Sequence, residues 1–189
     1  MRRHVTRLFV ASVLSLGLVA PTGLPAGADH TPTASSVNLV GSLQSEAGCA
    51  ADWDPTCAAT AFTSSGNGVY VFQSGVLPAG SYEYKVALGS WAENYGGNFQ
   101  HDGPNIALNL TSARSVRFYY DHKTHYITDN VRGTAYTVPG SFNSELGCAG
   151  DWSPNCLATL MSDVDGDGTF TFVTNDLPAD SYEFKVAAG

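Results

Sequence analysis

Residues 77–87 read LPAGSYEYKVA and residues 177–187 read LPADSYEFKVA, so one stretch occurs twice at an offset of 100. Within the first copy, residues 81–88 alternate aromatic or aliphatic with polar side chains, which is the pattern of a strand with one buried face. A second phrase repeats at an offset of 99, because residues 41–60 match residues 140–159. Two matches at nearly the same offset indicate two copies of one module.

The rest of the first copy carries the same strand signal in short segments. These candidate strands are VNLVGSL (37–43), GVYVFQS (68–74), NIALNLT (105–111), SVRFYYD (115–121) and HYITD (125–129). Turn-forming residues separate them, and no stretch has the 3.6-residue period of an amphipathic helix. About seven short strands in roughly 95 residues are typical of a β-sandwich. The sequence therefore predicts an all-β chain of two tandem immunoglobulin-like β-sandwich modules.

The repeat also sets the predicted domain boundaries. We expect a short linker at residues 29–36, the first module at residues 37–130 and the second copy at residues 131–189. The second copy stops at the position equivalent to Gly89, so it lacks counterparts of the later strands. We interpret it as a truncated copy in the front piece of a longer protein, with an open sheet edge.

The first 28 residues have the pattern of a signal peptide. Three arginines at positions 2, 3 and 7 precede the apolar run LFVASVLSLGLVA (8–20), and Ala26-Gly27-Ala28 is the small-x-small pattern of a cleavage site. The run is shorter than the about 20 residues that span a bilayer, which disfavours a membrane anchor. We therefore predict a secreted, extracellular protein whose mature chain begins near Asp29.

The charge of the mature chain limits its partners. Without the three leader arginines, six basic residues face 17 acidic ones, a formal net charge of −11. Nucleic acids and anionic membranes bind positive surfaces, so neither is an expected partner after signal cleavage. A neutral or a cationic ligand is compatible with this charge.

Four cysteines form two pairs with the same spacing, Cys49 with Cys57 and Cys148 with Cys156. In a secreted chain this spacing predicts two local disulfides. A loop this short stabilises the fold by about 2.5 kcal/mol in the chain-entropy model. The alternative, metal ligation, lacks a histidine or a further cysteine beside either pair.

The rare residues lie in or just after the repeated phrases. Trp53 and Trp152 occupy the same position of the two cysteine phrases, Trp91 follows the first strand phrase, and Lys85 and Lys185 occupy the same strand position. Packing alone can place a lysine there, because its stem lies well along apolar surface. An aromatic plane with hydrogen-bond donors at its edge also suits a sugar ring, which has an apolar face and a rim of hydroxyls.

These motifs resemble a known family. Leu-Gly followed by Asp-Trp-Asp/Ser-Pro, then by Leu-Pro-Ala-Gly-x-Tyr-Glu-Tyr-Lys-Val and a tryptophan, is similar to the signature of starch- and glycogen-binding β-sandwich modules. With the cysteine loop between Gly and Asp-Trp, residues 37–189 resemble the tandem accessory modules of secreted bacterial pullulanases and amylopullulanases.

The resemblance implies a carbohydrate site in each copy. In the first copy, Trp53 and Trp91 would form an aromatic platform for an α-glucan, and Lys85 and Asn105 would hydrogen-bond the sugar hydroxyls. Trp152 and Lys185 are the matching residues of the second copy. The resemblance also implies a downstream catalytic domain of an α-glucan-degrading glycoside hydrolase. The cysteine loop departs from the starch-binding pattern and could tilt or cover the platform.

No cofactor is expected, although one loop resembles a calcium site. Residues 163–168 read DVDGDG, which opens like a calcium loop with Asp163, Asp165 and Asp167, but Thr174 stands where a closing glutamate is needed. The first copy has SSGNG at this place, so a hairpin turn is the favoured interpretation and weak calcium binding the alternative. A second turn, DHKTH (121–125), predicts an exposed hairpin with two histidines.

Catalysis within these residues is disfavoured. Glu46 with Asp52, or Glu83 with Glu93, could serve as a carboxylate pair, but a small sandwich has no deep cleft and no nucleophilic constellation repeats. The favoured function is non-catalytic α-glucan binding. The alternatives are a structural spacer with an occluded platform and a protein-interaction or cell-wall module. Binding of an α-glucan needs both tryptophan rings open and within one sugar's length of each other. A protein-interaction or cell-wall module needs a flat apolar patch.

Overall fold

The computed structural model describes residues 34–189. The predicted signal peptide and most of the predicted linker lie outside the described residues. In the described part no helix has the length and apolar character of a membrane span. Regular structure there consists of ten strands and four short 3-10 helices, which confirms the predicted all-β class.

Eight of these strands belong to the first copy and two to the second. In chain order they are β1 (Asn38–Gly41), β2 (Thr63–Ser64), β3 (Val69–Leu77), β4 (Gly80–Ala87), β5 (Asn94–Tyr95), β6 (Ile106–Leu110), β7 (Arg114–Asp121), β8 (Tyr126–Asp129), β9 (Tyr136–Thr137) and β10 (Ala187–Ala188). The 3-10 helices are Ala58–Thr60, Gly97–Phe99, Ser144–Leu146 and Leu157–Thr159.

The first copy is a sandwich of two antiparallel sheets. One sheet contains β1, β4 and β5 in that order, with β6 paired to the earlier part of β4, and the other has the order β2-β3-β7-β8. The register places Tyr84 opposite Ile106 in the first sheet and Phe72 opposite Phe118 in the second. Apolar side chains of both sheets meet in one core, which confirms the predicted sandwich.

Strand β4 shows why the alternating phrase forms half of this core. Tyr82, Tyr84 and Val86 are buried, whereas Glu83 is exposed on the outer face. The ring of Tyr84 packs edge-on against Phe118 of the facing sheet, with 5.1 Å between the ring centroids. Its hydroxyl donates to the Asp129 carboxylate at 2.7 Å. The pKa of Tyr84 lies well above its usual value, mainly because the residue is buried.

Strands β2 and β5 were not predicted from the sequence. Each has two residues, which is too short for an alternating pattern to show. Strand β3 also continues to Leu77, beyond the predicted end of its segment, through an irregularity between Gln73 and Val76. The bulge shifts the side-chain alternation, so the pattern is interrupted in the sequence although the pairing with β7 continues.

The second copy has less regular structure and packs against the first. Its short β9–β10 ladder is supplemented by single bridges, such as the one between Gly140 and Phe184. At the junction, the Asn67 amide donates to the Ala158 carbonyl at 2.7 Å. The same junction buries apolar side chains of both copies, namely Val69, Tyr119, Ala135, Leu157 and Leu160.

Candidate functional site

The repeated cysteine phrase forms the same closed loop in both copies. Cys49 is bonded to Cys57, and Cys148 is bonded to Cys156, which confirms both predicted pairs. Each disulfide spans the turn that carries the tryptophan of its copy, and each is followed directly by a 3-10 helix. The bridge therefore fixes both ends of the turn that presents the ring.

The buried side chain of Gln44 stabilises the first loop by hydrogen bonds, a role that no sequence pattern predicted. This fully buried amide donates to the Asp54 carbonyl and the Thr60 hydroxyl, both at 2.9 Å. Its oxygen accepts from the backbone N–H groups of Asp54, at 2.8 Å, and Gly41, at 3.4 Å. All donors and acceptors of the amide are thus used, and they connect the end of β1 with the residue after Trp53 and with Thr60.

The second copy repeats this design with a shorter side chain. Asn143 stands at the position of Gln44, accepts from the N–H groups of Gly140 and Ser153, and donates to the Val138 carbonyl. Each loop also has a hydrogen bond from a serine hydroxyl to an aspartate on its exposed side. The Ser144 hydroxyl and N–H donate to the Asp151 carboxylate, which lowers the Asp151 pKa.

Both loop tryptophans have a left-handed backbone. Trp53 has φ 60° and Trp152 has φ 58°, a region that residues with a side chain rarely adopt. Their N–H groups donate to Gly41, at 3.3 Å, and to Gly140, at 2.9 Å. The left-handed turn therefore ties each tryptophan to the end of the first strand phrase of its copy.

Trp53 and Trp91 lie side by side in the first copy. Their ring centroids are 6.4 Å apart and their planes are inclined by 32°. Trp91 is 43% exposed and Trp53 is partly exposed, so both residues are in contact with solvent. The tilt gives the pair a bent aromatic surface rather than a flat one.

The loop of Trp91 is stabilised by hydrogen bonds from a buried asparagine, Asn94. The Asn94 amide donates to the Trp91 carbonyl at 3.2 Å and to the Asp102 carboxylate at 2.6 Å. His101, on the same loop as Asp102, lies 3.2 Å from the Ala92 carbonyl through its Nε2 atom. Two connections therefore hold the short segment that carries the second ring.

Lys85 and Asn105 are brought to one face of the first sheet. Lys85 points outward from β4, because its neighbours Tyr84 and Val86 point into the core. Its stem lies against Gly96, where a Cβ atom would stand 2.9 Å from the lysine Cε. The Asn105 amide donates to the Glu83 carboxylate at 3.0 Å, so Glu83 connects the asparagine to the strand of Lys85.

In the second copy Trp152 and Lys185 are both exposed, and Trp152 is 42% exposed. Within residues 34–189 no second tryptophan lies beside Trp152. In the described residues, a pair of neighbouring tryptophans is therefore present only in the first copy.

The carboxylate pairs weighed as catalytic groups have local partners. Glu46 and Asp52 both accept from the Ser45 hydroxyl, at 3.1 Å and 2.8 Å. Glu93 accepts from the Tyr95 hydroxyl at 3.1 Å. These contacts place the carboxylates in loop-stabilising roles.

The acidic loop of the second copy brings its three carboxylates together. Asp163, Asp165 and Asp167 offer ligand atoms that lie within 4.8 Å of one another. The loop is also tied by its own hydrogen bonds, for example from the Gly168 N–H to Asp163 at 3.1 Å. A turn and a weak calcium site both account for this geometry, so calcium binding stays a prediction.

The predicted exposed histidine hairpin is wrong, because both histidines are buried. The Tyr120 hydroxyl lies 3.1 Å from Nδ1 of His122 and 2.8 Å from Nδ1 of His125. The pKa of Tyr120 is raised, mainly because the residue is buried, so the hydroxyl keeps its proton. A hydroxyl with one proton can donate to one histidine ring and accept from the other. The His125 ring also stacks on Tyr95.

Replacing Gln44 by alanine is expected to lower the free energy of unfolding by about 2–3 kcal/mol, because the buried Gly41 N–H and Thr60 hydroxyl and the partly buried backbone groups of Asp54 lose their partner. Urea unfolding of the chain from Asp29 to Gly189 measures this. Gln100→Ala, at an exposed glutamine, is the control and should stay within about 0.5 kcal/mol. Equal effects of the two changes would contradict a structural role for Gln44.

Comparison with known proteins gives consistent matches. A sequence profile described as the pullulanase X25 domain matches residues 36–127 and 135–189. Amylopullulanases are similar to about half of the chain. The amylopullulanase of Thermoanaerobacterium saccharolyticum is 43% identical over 98 residues, which is 51% of this chain. The amylopullulanase of Thermoanaerobacterium thermosulfurigenes is 42% identical over 105 residues, which is 53% of this chain. The amylopullulanase of Thermoanaerobacter thermohydrosulfuricus is 44% identical over 91 residues, 47% of this chain.

These relatives are much longer than the chain. The aligned part covers 8%, 6% and 6% of the three amylopullulanases. Among solved structures, pullulanase from Bacillus acidopullulyticus matches 81% of this chain and 16% of its own, with 26% identity and a TM-score of 0.47.

Proposed function

Since the chain belongs to the pullulanase X25 domain family, we propose that it is a non-catalytic α-glucan-binding region of a larger secreted glycoside hydrolase. The relatives that it matches are amylopullulanases, of which it spans less than a tenth. The ligand is an α-glucan polysaccharide such as starch, pullulan or glycogen, and the catalytic domain lies downstream in the full-length chain. The two disulfides suit an extracellular setting.

One observation carries this proposal: the partly exposed ring of Trp53 lies beside the exposed ring of Trp91. Sugars bind aromatic rings through the apolar face of their C–H groups. Two rings 6.4 Å apart lie within reach of neighbouring glucose units, and a 32° tilt suits a polymer whose α-1,4 linkages curve it. A flat platform would suit a straight chain better.

The polar neighbours provide the second half of such a site. Lys85 carries three N–H donors, and no ion pair of Lys85 is present in the described part of the chain. Asn105 keeps its amide oxygen for a sugar hydroxyl while its NH₂ group donates to Glu83. Lys85 stands on the outer face of β4, and Asn105, which directly precedes β6, is joined to the same strand through Glu83.

The charge of the protein favours a neutral polymer. The chain from Asp29 onward has six basic and 17 acidic residues, a formal charge of −11, which repels an anionic polysaccharide. A glucan has no charge, so the acidic surface does not oppose its approach. This argument selects among polysaccharide classes but does not distinguish starch from glycogen.

Replacing Trp53 or Trp91 by alanine is expected to abolish retardation of the chain from Asp29 to Gly189 in native gels containing soluble starch. A ring that anchors an interface contributes about 2 kcal/mol or more, so each variant should bind about 30-fold more weakly. Circular dichroism and unfolding curves establish that each variant is folded.

Trp152→Ala is the matched control, because that ring has the same loop and backbone but stands alone. It should retain most of the retardation, and gels containing a soluble cellulose derivative should retard none of the proteins. A wild-type chain that starch does not retard would refute the proposal and favour the structural spacer. Retardation that survives both Trp53→Ala and Trp91→Ala would place the binding site elsewhere.

A further inference from the structure

Both ring nitrogens of His101 face hydrogen-bond acceptors. Nε2 lies 3.2 Å from the Ala92 carbonyl oxygen, and Nδ1 lies 3.1 Å from the Asp102 carboxylate. A carbonyl and an ionised carboxylate only accept hydrogen bonds, so each contact requires a proton on the ring nitrogen that faces it. A neutral imidazole has one N–H group and an imidazolium has two. The two contacts together therefore require His101 in its protonated, positively charged form.

These contacts belong to the segment that carries Trp91. Ala92 directly follows Trp91 in the chain. The Asp102 carboxylate also accepts from Asn94, and the same asparagine amide donates to the Trp91 carbonyl. His101 and Asn94 thus hold the carbonyl groups of two adjacent residues. When His101 loses a proton, one ring nitrogen turns a lone pair toward an acceptor, and one of its two connections is lost.

The other groups around His101 are compatible with a positive charge. Its ring packs edge-on against Tyr95 of β5, with 5.8 Å between the ring centroids. The Tyr95 hydroxyl donates to the Glu93 carboxylate at 3.1 Å, and the Tyr95 ring also stacks on the buried ring of His125. The charged groups linked to His101 by these contacts are the carboxylates of Asp102 and Glu93. An imidazolium at this position therefore meets opposite charge.

We propose that His101 is a positioning residue for Trp91, which it holds through the Ala92 carbonyl only while its ring is protonated. Histidine changes its charge between about pH 5 and pH 8. Both connections are therefore made at the acidic end of this range, and one is lost as the pH rises. The affinity for an α-glucan falls with it. This effect on affinity rests on the proposed function, because it requires Trp91 to contact the polymer.

Calorimetric titration of the chain from Asp29 to Gly189 with soluble starch tests the proposal at about pH 5.5 and about pH 8. The wild-type chain should bind about 3-fold more tightly at the lower pH. The factor is small because the His101 side chain is 51% exposed, and a surface hydrogen bond of this kind contributes little.

Two substitutions of His101 separate its charge from its size. His101→Gln is neutral at both pH values, so it should bind with the weaker affinity at both. His101→Arg is charged at both pH values and has donors for both acceptors, so its affinity should not fall between them. Circular dichroism establishes that both variants are folded.

The same variants identify the outcomes that would overturn the proposal. His122 and His125 are unchanged in His101→Gln, so a pH dependence that persists in this variant belongs to another group. Equal affinity of the wild-type chain at the two pH values would also overturn it.

Nuclear magnetic resonance without starch tests the positioning independently of binding. The indole N–H resonance of Trp91 should move with pH at the same midpoint as the His101 ring resonances, and it should not do so in His101→Gln. The Trp152 indole, in the second copy, is the internal control and should not follow His101. A Trp91 resonance that does not follow His101 would overturn the proposal.

The two experiments distinguish failure of this inference from failure of the proposed function. If starch does not bind at either pH but Trp91 follows His101, the glucan-binding function is refuted and the positioning of Trp91 is retained. If starch binds equally at both pH values, the function is retained and the role of His101 is refuted.

Discussion

Replacing Tyr84 by alanine is expected to unfold much of the first module, with a loss of about 3–5 kcal/mol in the free energy of unfolding. The ring fills the centre of the sandwich and packs edge-on against Phe118. The change also removes the hydroxyl that donates to Asp129, a fully buried carboxylate that in turn accepts from the N–H groups of Val131 and Arg132. A cavity and a lost charge-assisted hydrogen bond therefore act together.

Urea unfolding followed by tryptophan fluorescence measures this loss. Tyr84→Phe keeps the ring and isolates the hydrogen bond, so it should cost about 1–3 kcal/mol. Val76→Ala, at a largely exposed strand residue, is the surface control and should stay within about 0.5 kcal/mol. A Tyr84→Ala variant as stable as Val76→Ala would mean that the ring is not part of a closed core.

Replacing Gly41 by valine is expected to cost about 3 kcal/mol and to abolish starch binding. A Cβ atom at Gly41 would lie 2.3 Å from the Glu83 carbonyl oxygen and 2.9 Å from the Tyr84 Cα, both backbone atoms that cannot rotate away. Strands β1 and β4 must then separate. The Gly41 carbonyl moves with them, and it is the acceptor that fixes the Trp53 N–H.

The expected result is a single substitution that lowers stability and binding together, measured by unfolding curves and by retardation in starch gels. Gly75→Ala is the matched control, because nothing lies within 4 Å of a Cβ atom at that glycine. It should leave binding unchanged and alter stability by about 1 kcal/mol or less. Retention of starch binding by a destabilised Gly41→Val variant would contradict the coupling between β1 and the Trp53 turn.

The parts of the fold predicted correctly are those with a local pattern. The alternation in β4, β6 and β7 and the paired cysteines each depend on residues close together in the chain, so sequence alone identified them. Strands β2 and β5 escaped because two residues cannot show a period. The burial of His122 and His125 escaped because it depends on Tyr120 in the neighbouring part of the sheet, and polar turn residues usually face solvent.

The candidate site also has a part that the sequence indicated and a part that it did not. The resemblance identified Trp53, Trp91, Lys85 and Asn105, but their arrangement depends on long-range contacts. Gln44 and Asn94 determine where the two rings stand, and each does so through backbone groups, which leave no sequence signature. The contact between the copies, through Asn67 and Ala158, also joins residues too distant in sequence for any pattern to indicate.

The left-handed backbone of Trp53 and Trp152 has a consequence for how this loop evolves. A residue with a side chain is strained in that region by about 1 kcal/mol or more, whereas glycine adopts it freely. Glycine at either position would therefore relax the turn, but it would also remove the ring, which at position 53 packs beside Trp91. Substitutions at these two positions thus exchange backbone strain against the presence of an aromatic side chain.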